Sequence, residues 1–358
     1  MFKRMHGAPP PCDNAPSPAG SSGNKYAPVP WTEYFDVRHN VCVGEETFSV
    51  YECVPQIEHS ETCFVMLHGA GFSGLSFAAI ARKLREKGHR VLSLELRGHG
   101  HTRTTHCDLS TSQLLQDIRQ ALTRLFFQPT SHAQCVKAIE GAPCQGYGSS
   151  AQSQDIFLMG HSLGGALATR LGCDKSYFGT DCSLRVVGIV VLDMVEGVAM
   201  DGLPRMHEIL SNRPKSFPSL EKAIEWSVRS KHIRNLESAA VSMPAQLDVG
   251  SDGKYHWRVD LKASSPYWDG WFRGASNDFL GTLAPKLLVL GGHYVLDDTL
   301  IVGQMQGKFM LKIVGTAGHV VHEDCPDDTL KIVSDFYIRW TTPLSLPKAS
   351  SSSLSSSK

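Results

Sequence analysis

Asp155-Ile-Phe-Leu-Met-Gly-His-Ser-Leu-Gly-Gly-Ala166 decides how the chain is read. Ile156 to Gly160 is a short apolar run that reads as a buried strand, and Leu163 to Ala168 are small or aliphatic residues suited to a helix. Between them Gly160-His-Ser-Leu-Gly164 is G-x-S-x-G in the strand–turn–helix setting that lifts a serine hydroxyl onto a sharp turn. Such a turn strains its serine and brings chain close to chain, so neighbours without a Cβ are needed. The helix that begins after Ser162 also aims free N–H groups at developing negative charge. An ordinary turn can carry the same letters by chance, but the flanks favour a nucleophile at Ser162.

Outward from this stretch the chain alternates strand and helix. Residues 41–43 and 47–54 alternate as a hairpin, and Cys63-Phe-Val-Met-Leu67 is a continuous apolar run typical of a strand covered on both faces. It ends in His68-Gly-Ala-Gly-Phe-Ser-Gly74, and an amphipathic helix follows. Val91 to Leu94 closes with Glu95-Leu-Arg-Gly-His-Gly100, and residues 109–127 have helical spacing. Further strands are expected at 186–193, 286–290 and 309–314, with a last helix over about 327–340. This alternation predicts an α/β fold, a mostly parallel doubly wound sheet. Residues 194–282 do not alternate and read as an inserted cap or lid; with the early hairpin they point to an α/β-hydrolase domain over 26–343. Residues 128–153, rich in Pro, Gly and small polar residues, read as a mobile surface insertion. Residues 1–25 and the Ser-rich tail 344–358 read as disordered.

Composition excludes several function classes. Thirty-five basic and thirty-five acidic residues leave a formal net charge of zero, without a long basic block, so nothing marks a nucleic-acid or anionic-membrane partner. No apolar run is long enough to span a membrane. The ten cysteines follow neither C-x-x-C nor zinc spacing. A reducing location, cytoplasmic or nuclear, is expected, with no metal and no cofactor.

One motif competes. Gly69-Ala-Gly-Phe-Ser-Gly74 is a literal G-x-G-x-x-G between a strand and a helix, with Glu95 where a ribose-binding acid belongs. A dinucleotide-binding oxidoreductase would, however, open its sheet with this motif, and two strands precede it here. It would also leave Gly160–Gly164 and Gly318-His319 without a role. His68-Gly69 instead matches the pair that hydrolases place at an oxyanion hole.

A serine hydroxyl needs a base, the base an orienting carboxylate, and the oxyanion fixed donors. The fold orders them Ser, acid, His. Gly318-His319 lies nearest the end of the last strand and is the preferred base; His322 is the alternative, and the two at i, i+3 make a weak metal signal. For the acid, Asp193 sits at a strand's carboxyl end. Asp297 is the alternative, in a loop where Tyr294 stands at the usual aspartate position and where Asp297 can equally cap a helix. The oxyanion donors are expected to be the N–H groups of Leu163 and Ala70. Tyr267, Trp268, Trp271, Phe272 and Arg273 form an aromatic-dense patch that reads either as cap packing or as a substrate wall at Trp271, Phe272 and Arg273.

Longer segments resemble a named family, the protein phosphatase methylesterases. They include Pro28-Val-Pro-Trp-Thr-Glu-Tyr-Phe, Leu192-Asp-Met-Val-Glu-Gly-Val-Ala-Met, Arg213-Pro-Lys-Ser-Phe, Tyr267-Trp-Asp-Gly-Trp-Phe-Arg-Gly and Gly318-His-Val-Val-His-Glu-Asp. The resemblance covers roughly 26–340. It implies an esterase that removes the methyl ester from the C-terminal leucine of the protein phosphatase 2A catalytic subunit, with that subunit as partner. The family's nucleophile falls on Ser162, its acid on Asp193 and its base on His319. Its departures are Tyr294, where the family can carry an aspartate, and the length of 128–153. A small-molecule carboxylesterase and a non-catalytic phosphatase-binding protein are the other readings.

Overall fold

The computed structural model describes residues 24–57, 62–127, 134–137, 153–173, 184–292 and 295–341. The expected leader and tail lie outside the described residues, apart from 24 and 25. Strands β1 (Val37–Val43) and β2 (Glu46–Cys53) form the hairpin, β1 starting earlier than the alternation suggests. There follow β3 (Cys63–Leu67), α1 (Ala78–Glu86), β4 (Arg90–Leu94) and α2 (Thr111–Phe127). Next come β5 (Gln134–Lys137), β6 (Gln154–His161), α3 (Leu163–Cys173) and β7 (Leu184–Leu192).

Between β7 and β11 (Lys286–Gly291) the chain makes helices α4 (Glu196–Ser211), α5 (Leu220–Arg229) and α6 (Leu236–Ala245), then α7 (Trp268–Phe272) and α8 (Ala275–Gly281). A small antiparallel sheet of β8 (Ser216–Phe217), β9 (Leu247–Val249) and β10 (Tyr255–Trp257) lies among them. The chain ends with α9 (Asp298–Met305), β12 (Met310–Val314), α10 (Val321–Asp324) and α11 (Pro326–Thr341).

The main sheet runs β12-β11-β7-β6-β3-β4-β2-β1-β5. Its six central and late strands are parallel, and β2, β1 and β5 are antiparallel to their neighbours. Strand β5 falls within the stretch 128–153 expected as a surface insertion. Four of those residues pair with β1 (Val37↔Lys137 to Asn40↔Gln134) and lengthen the sheet, while 128–133 and 138–152 lie outside the described residues.

Strands β3, β6 and β11 are apolar on both faces because both are covered, whereas β12 at the edge exposes Lys312 and Ile313. Cys63, Val65, Leu67, Ile156 and Leu158 point into a core shared with α2, α3 and α8. Phe64, Met66, Phe157 and Met159 point into a second core shared with α1 and α11. A third, smaller core joins Phe217, Ile224, Ile233 and Met243 to Phe72 and Val320. It fastens the segment after β7 to the loops that follow β3 and β12, above the strands' carboxyl ends. No described helix is long and apolar enough to cross a membrane.

Candidate active site

Ser162 sits between β6 and α3 with φ +50°, a left-handed conformation that a residue with a side chain adopts at a cost of about 1–3 kcal/mol. Two glycines make the turn possible. A Cβ on Gly160 would stand 2.1 Å from the Gly164 carbonyl oxygen, and one on Gly164 would stand 2.0 Å from that of Leu67. Hydrogen bonds hold the turn: the Ser162 N–H donates to Leu192 O (3.0 Å), and its carbonyl accepts from Ala166 N–H (3.1 Å).

Asp193 follows Leu192 at the end of β7, also left-handed at φ +48°. Its N–H donates to Val289 O (2.8 Å) on the neighbouring strand. Its Oδ1 accepts from Gly291 N–H and its Oδ2 faces His319 Nδ1, both at 2.7 Å. A ring nitrogen facing a carboxylate carries the proton, so His319 Nε2 keeps its lone pair for a hydroxyl proton. The His319 side chain is 55% exposed and that of Asp193 only 22%, so the imidazole is the solvent-facing member of the pair.

The His319 loop is held from behind. His161 Nε2–H donates to His319 O at 3.0 Å, which ties His319 to the residue beside Ser162. Asp324 accepts from Gly318 N–H through Oδ2 (2.6 Å) and from Arg234 N–H through Oδ1 (2.7 Å). The Arg234 guanidinium in turn donates to Thr316 O.

The loop after β3 passes beside the elbow, since a Cβ on Gly69 would lie 3.2 Å from Ser162 Cβ. Gly71 N–H donates to His99 Nε2 (2.9 Å), whose Nδ1–H donates to Arg97 O (2.8 Å). Gly71 is therefore already engaged. The Ala70 N–H has no protein acceptor among the described residues, and Leu163 N–H opens the first turn of α3, where no carbonyl of the helix can reach it. His68 is fixed in the same way as His99, donating from Nδ1 to Gly69 O (2.8 Å) and accepting at Nε2 from Leu96 N–H (3.0 Å). Burial holds His68 and His161 well below the usual imidazole pKa and brings His99 down to about 4. These buried imidazoles are therefore neutral near pH 7 and add no charge beside the Gly69–Gly71 backbone.

The alternatives fall elsewhere. Asp297 caps α9 through Oδ1 (Leu300 N–H, 2.9 Å) and accepts from Ser276 Oγ–H (2.6 Å) and Gly197 N–H (3.2 Å) through Oδ2. His322 is sealed in the core, its ring 4.4 Å from that of Phe77, and cannot meet a substrate. Tyr294 lies outside the described residues. The G-x-G-x-x-G rival fails on Glu95, which is 1% exposed, accepts from Ser73 Oγ–H at 2.6 Å and would be struck by a Cβ on Gly100 at 2.0 Å. No ribose can reach it.

Trp271 and Phe272 are buried, and Trp271 Nε1–H donates to Leu109 O at 2.7 Å, so these rings pack the segment onto α2 and α3. Arg273 is exposed and ion-paired with Asp269 one turn earlier. This is the packing alternative for the aromatic patch.

An α/β-hydrolase family model matches residues 64–332. Relatives span most of the chain. A Caenorhabditis elegans protein named "Probable protein phosphatase methylesterase 1" is 38% identical over 93% of this chain and 83% of its own length. The protein phosphatase methylesterase 1 of Bos taurus is 34% identical over 88% and 87%. That of Yarrowia lipolytica is 36% identical over 88% and 74%. The chain belongs to the protein phosphatase methylesterase family. It is a carboxylic ester hydrolase. Among solved structures, E-2-(acetamidomethylene)succinate hydrolase (TM-score 0.63, 18% identity, 85% of this chain and 99% of that one) shares the fold. So does a Mycobacterium tuberculosis esterase (TM-score 0.57, 20% identity, 85% and 92%).

In this methylesterase-family chain, sequence reasoning passed over three supporting groups. Glu196 accepts from Gly274 N–H (2.7 Å) and Ser276 N–H (3.0 Å), capping α8 across the whole inserted segment. Asp324 and Arg234 clamp the His319 loop. His99 holds the loop after β3 by Gly71. Only His99 left a local signal, in Gly98-His99-Gly100 directly after β4.

Proposed function

We propose that the chain hydrolyses the methyl ester on the C-terminal leucine of the protein phosphatase 2A catalytic subunit, through Ser162, His319 and Asp193. The observation that carries the mechanism is the hydrogen bond from His319 Nδ1 to Asp193 Oδ2, at strand ends beside the strained Ser162 turn. The substrate rests on the resemblance of the quoted segments and on the names of the relatives.

The chemistry follows from the geometry. His319 Nε2 takes the Ser162 hydroxyl proton as Oγ attacks the ester carbonyl, and Asp193 steadies the imidazolium. The N–H groups of Leu163 and Ala70 receive the oxyanion, together contributing several kcal/mol to the transition state. Collapse expels methanol, protonated by His319, and leaves an acyl-enzyme. Water, deprotonated by the same imidazole, then releases the leucine carboxylate and restores Ser162.

The test uses purified protein with carboxymethylated phosphatase 2A and with a short leucine methyl ester peptide, following methanol release. Fluorophosphonate labelling with adduct mapping accompanies it. Ester loss from the phosphatase and a single adduct on Ser162 are expected. Labelling elsewhere, or none in folded protein, refutes the nucleophile. Turnover of the small ester alone favours the small-molecule carboxylesterase.

A further inference from the structure

Arg213, between α4 and β8, is a cation with no acid paired to it among the described residues. Its guanidinium lies 3.5 Å from the centroid of the Trp257 ring, and its Nε is buried with no hydrogen-bond partner among the described residues. Burial lowers its pKa to about 10, with no charged neighbour offsetting that cost. A guanidinium withdrawn from water in this way is costly unless an anion meets it. The Trp257 indole holds its plane, so its donor edge is set in advance.

Arg213 opens on a cleft of about 380 Å³. Lys215 and Lys262 stand on the same wall, Lys262 Nζ steadied by Ser211 Oγ at 2.9 Å. The wall has one carboxylate among the described residues, Asp260, whose Oδ1 is taken by the N–H groups of Lys262 (3.0 Å) and Ala263 (3.1 Å). His256, also on the wall, is paired with Asp252. The cleft therefore carries a surplus of positive charge, in a chain whose net charge is zero.

The cleft adjoins the ester site on two sides. Leu261, on its wall, packs over Gly71 so closely that a Cβ there would come within 2.7 Å of the leucine side chain. Gly71 follows Ala70, the proposed oxyanion donor. His232, stacked on Phe72 of the same loop with ring centroids 5.4 Å apart, meets Trp257 of the cleft wall edge-on at 6.3 Å.

We propose that this cleft binds an acidic side chain of the peptide that carries the ester, its carboxylate lying along the Arg213 fork and its chain passing Leu261 toward Ser162. The inference rests on the reading of Ser162 as an esterase nucleophile acting on a peptide-borne ester. A planar carboxylate fits the guanidinium edge with two parallel hydrogen bonds, and the two lysines add attraction that salt can screen. The ester-bearing residue has lost its own carboxylate charge, so recognition by charge must come from residues upstream of it.

The test uses hexapeptides ending in leucine methyl ester, each with one glutamate at one of the upstream positions, paired with glutamine counterparts. The readout is the ratio of kcat/KM for the glutamate peptide over its partner within each protein, so that any general loss of activity cancels. A ratio of about ten- to a hundredfold is expected at one position in low salt, the size of one charge-assisted hydrogen bond. It should shrink as salt rises. Arg213→Gln should bring it near one. The double variant Lys215→Gln/Lys262→Gln alters only exposed side chains and should lower it severalfold. A ratio near one at every position of the unsubstituted protein overturns the proposal. So does a ratio that survives Arg213→Gln in folded protein, or the double variant if Arg213→Gln does not fold. Anisotropy of labelled peptides on Ser162→Ala separates the two readings. Arg213-dependent binding without ester turnover by the unsubstituted protein keeps the cleft and rejects the esterase. Turnover without acid preference does the reverse.

Discussion

Asp193→Asn is the sharpest perturbation of the site, because the structure dictates how the new side chain must sit. Asp193 Oδ1 accepts from Gly291 N–H at 2.7 Å. Asparagine keeps that bond only by placing its own oxygen there, which turns its NH₂ group toward His319 Nδ1. Two donors cannot face each other, so Nδ1 gives up its proton and Nε2 acquires it. The imidazole then presents an N–H to Ser162 instead of a lone pair. The same substitution in a serine protease triad lowers turnover by about 10⁴, and a loss of three to four orders of magnitude is expected here. The fold should hold, since the contact with Gly291 survives. Hydrolysis of a leucine methyl ester is the assay, with circular dichroism and thermal melting to confirm folding. Asp297→Asn is the control: asparagine caps a helix about as well as aspartate, so the α9 cap survives and the rate should stay within severalfold. A folded Asp193→Asn protein retaining a tenth of the activity, or a larger loss from Asp297→Asn, refutes the assignment.

Three further outcomes are expected. Gly164→Ala puts a Cβ 2.0 Å from a backbone oxygen of β3 that cannot swing aside, and should cost at least about 3 kcal/mol in urea unfolding or abolish soluble expression. Trp271→Ala removes a buried ring and the donor to Leu109 O; a loss of about 3–5 kcal/mol with parallel falls in all ester activities is expected, whereas selective loss on the phosphatase at unchanged melting temperature would restore a recognition role. Stability should fall between pH 6.5 and pH 4.5. His99 and His232 have folded pKa values near 4 and His322 near 3, so the unfolded chain takes up protons that the folded one refuses. Glu95, raised to about 7 by burial, acts oppositely and offsets one of them, and a urea midpoint that is flat or rising as pH drops would contradict the balance.

The strands and the elbow were legible because their signals are local. A five-residue apolar run covered on both faces looks alike wherever it sits, and Gly160 and Gly164 are demanded by contacts within one turn or with the adjacent strand. The structure sets Asp193 and His319 2.7 Å apart at strand ends, and strand order made that pairing an expectation from the sequence. Groups whose partner lies far along the chain were not. Glu196 serves residues 78 and 80 positions later, and Arg234 meets Asp324 at a separation of 90. Neither spacing leaves a periodic trace. Strand β5 was hidden for another reason: Gln134 to Lys137 stand among turn-forming residues, and only pairing with β1 makes them a strand. The aromatic patch at 267–273 was ambiguous because a buried ring and a pocket wall have the same composition, and only burial distinguishes them.

The choice between the two acids turns on space at the end of β11. In this chain that strand end supplies room and a donor instead of a carboxylate. A Cβ on Gly291 would lie 2.4 Å from Gly318 O, and one on Gly292 equally close to Gly315 O, so the base loop rests directly on the β11 backbone. With the loop that near, the Gly291 N–H is free to orient Asp193 from the adjacent strand. The loop beyond then serves the inserted segment, since Asp297 starts α9 and binds Ser276 and Gly197, joining the end of that segment to its beginning. For Asp297 to serve as the acid of the proposed triad, both sets of contacts would have to break. The position of the proposed acid, Asp193, thus depends on packing of glycine backbones as much as on the carboxylate itself.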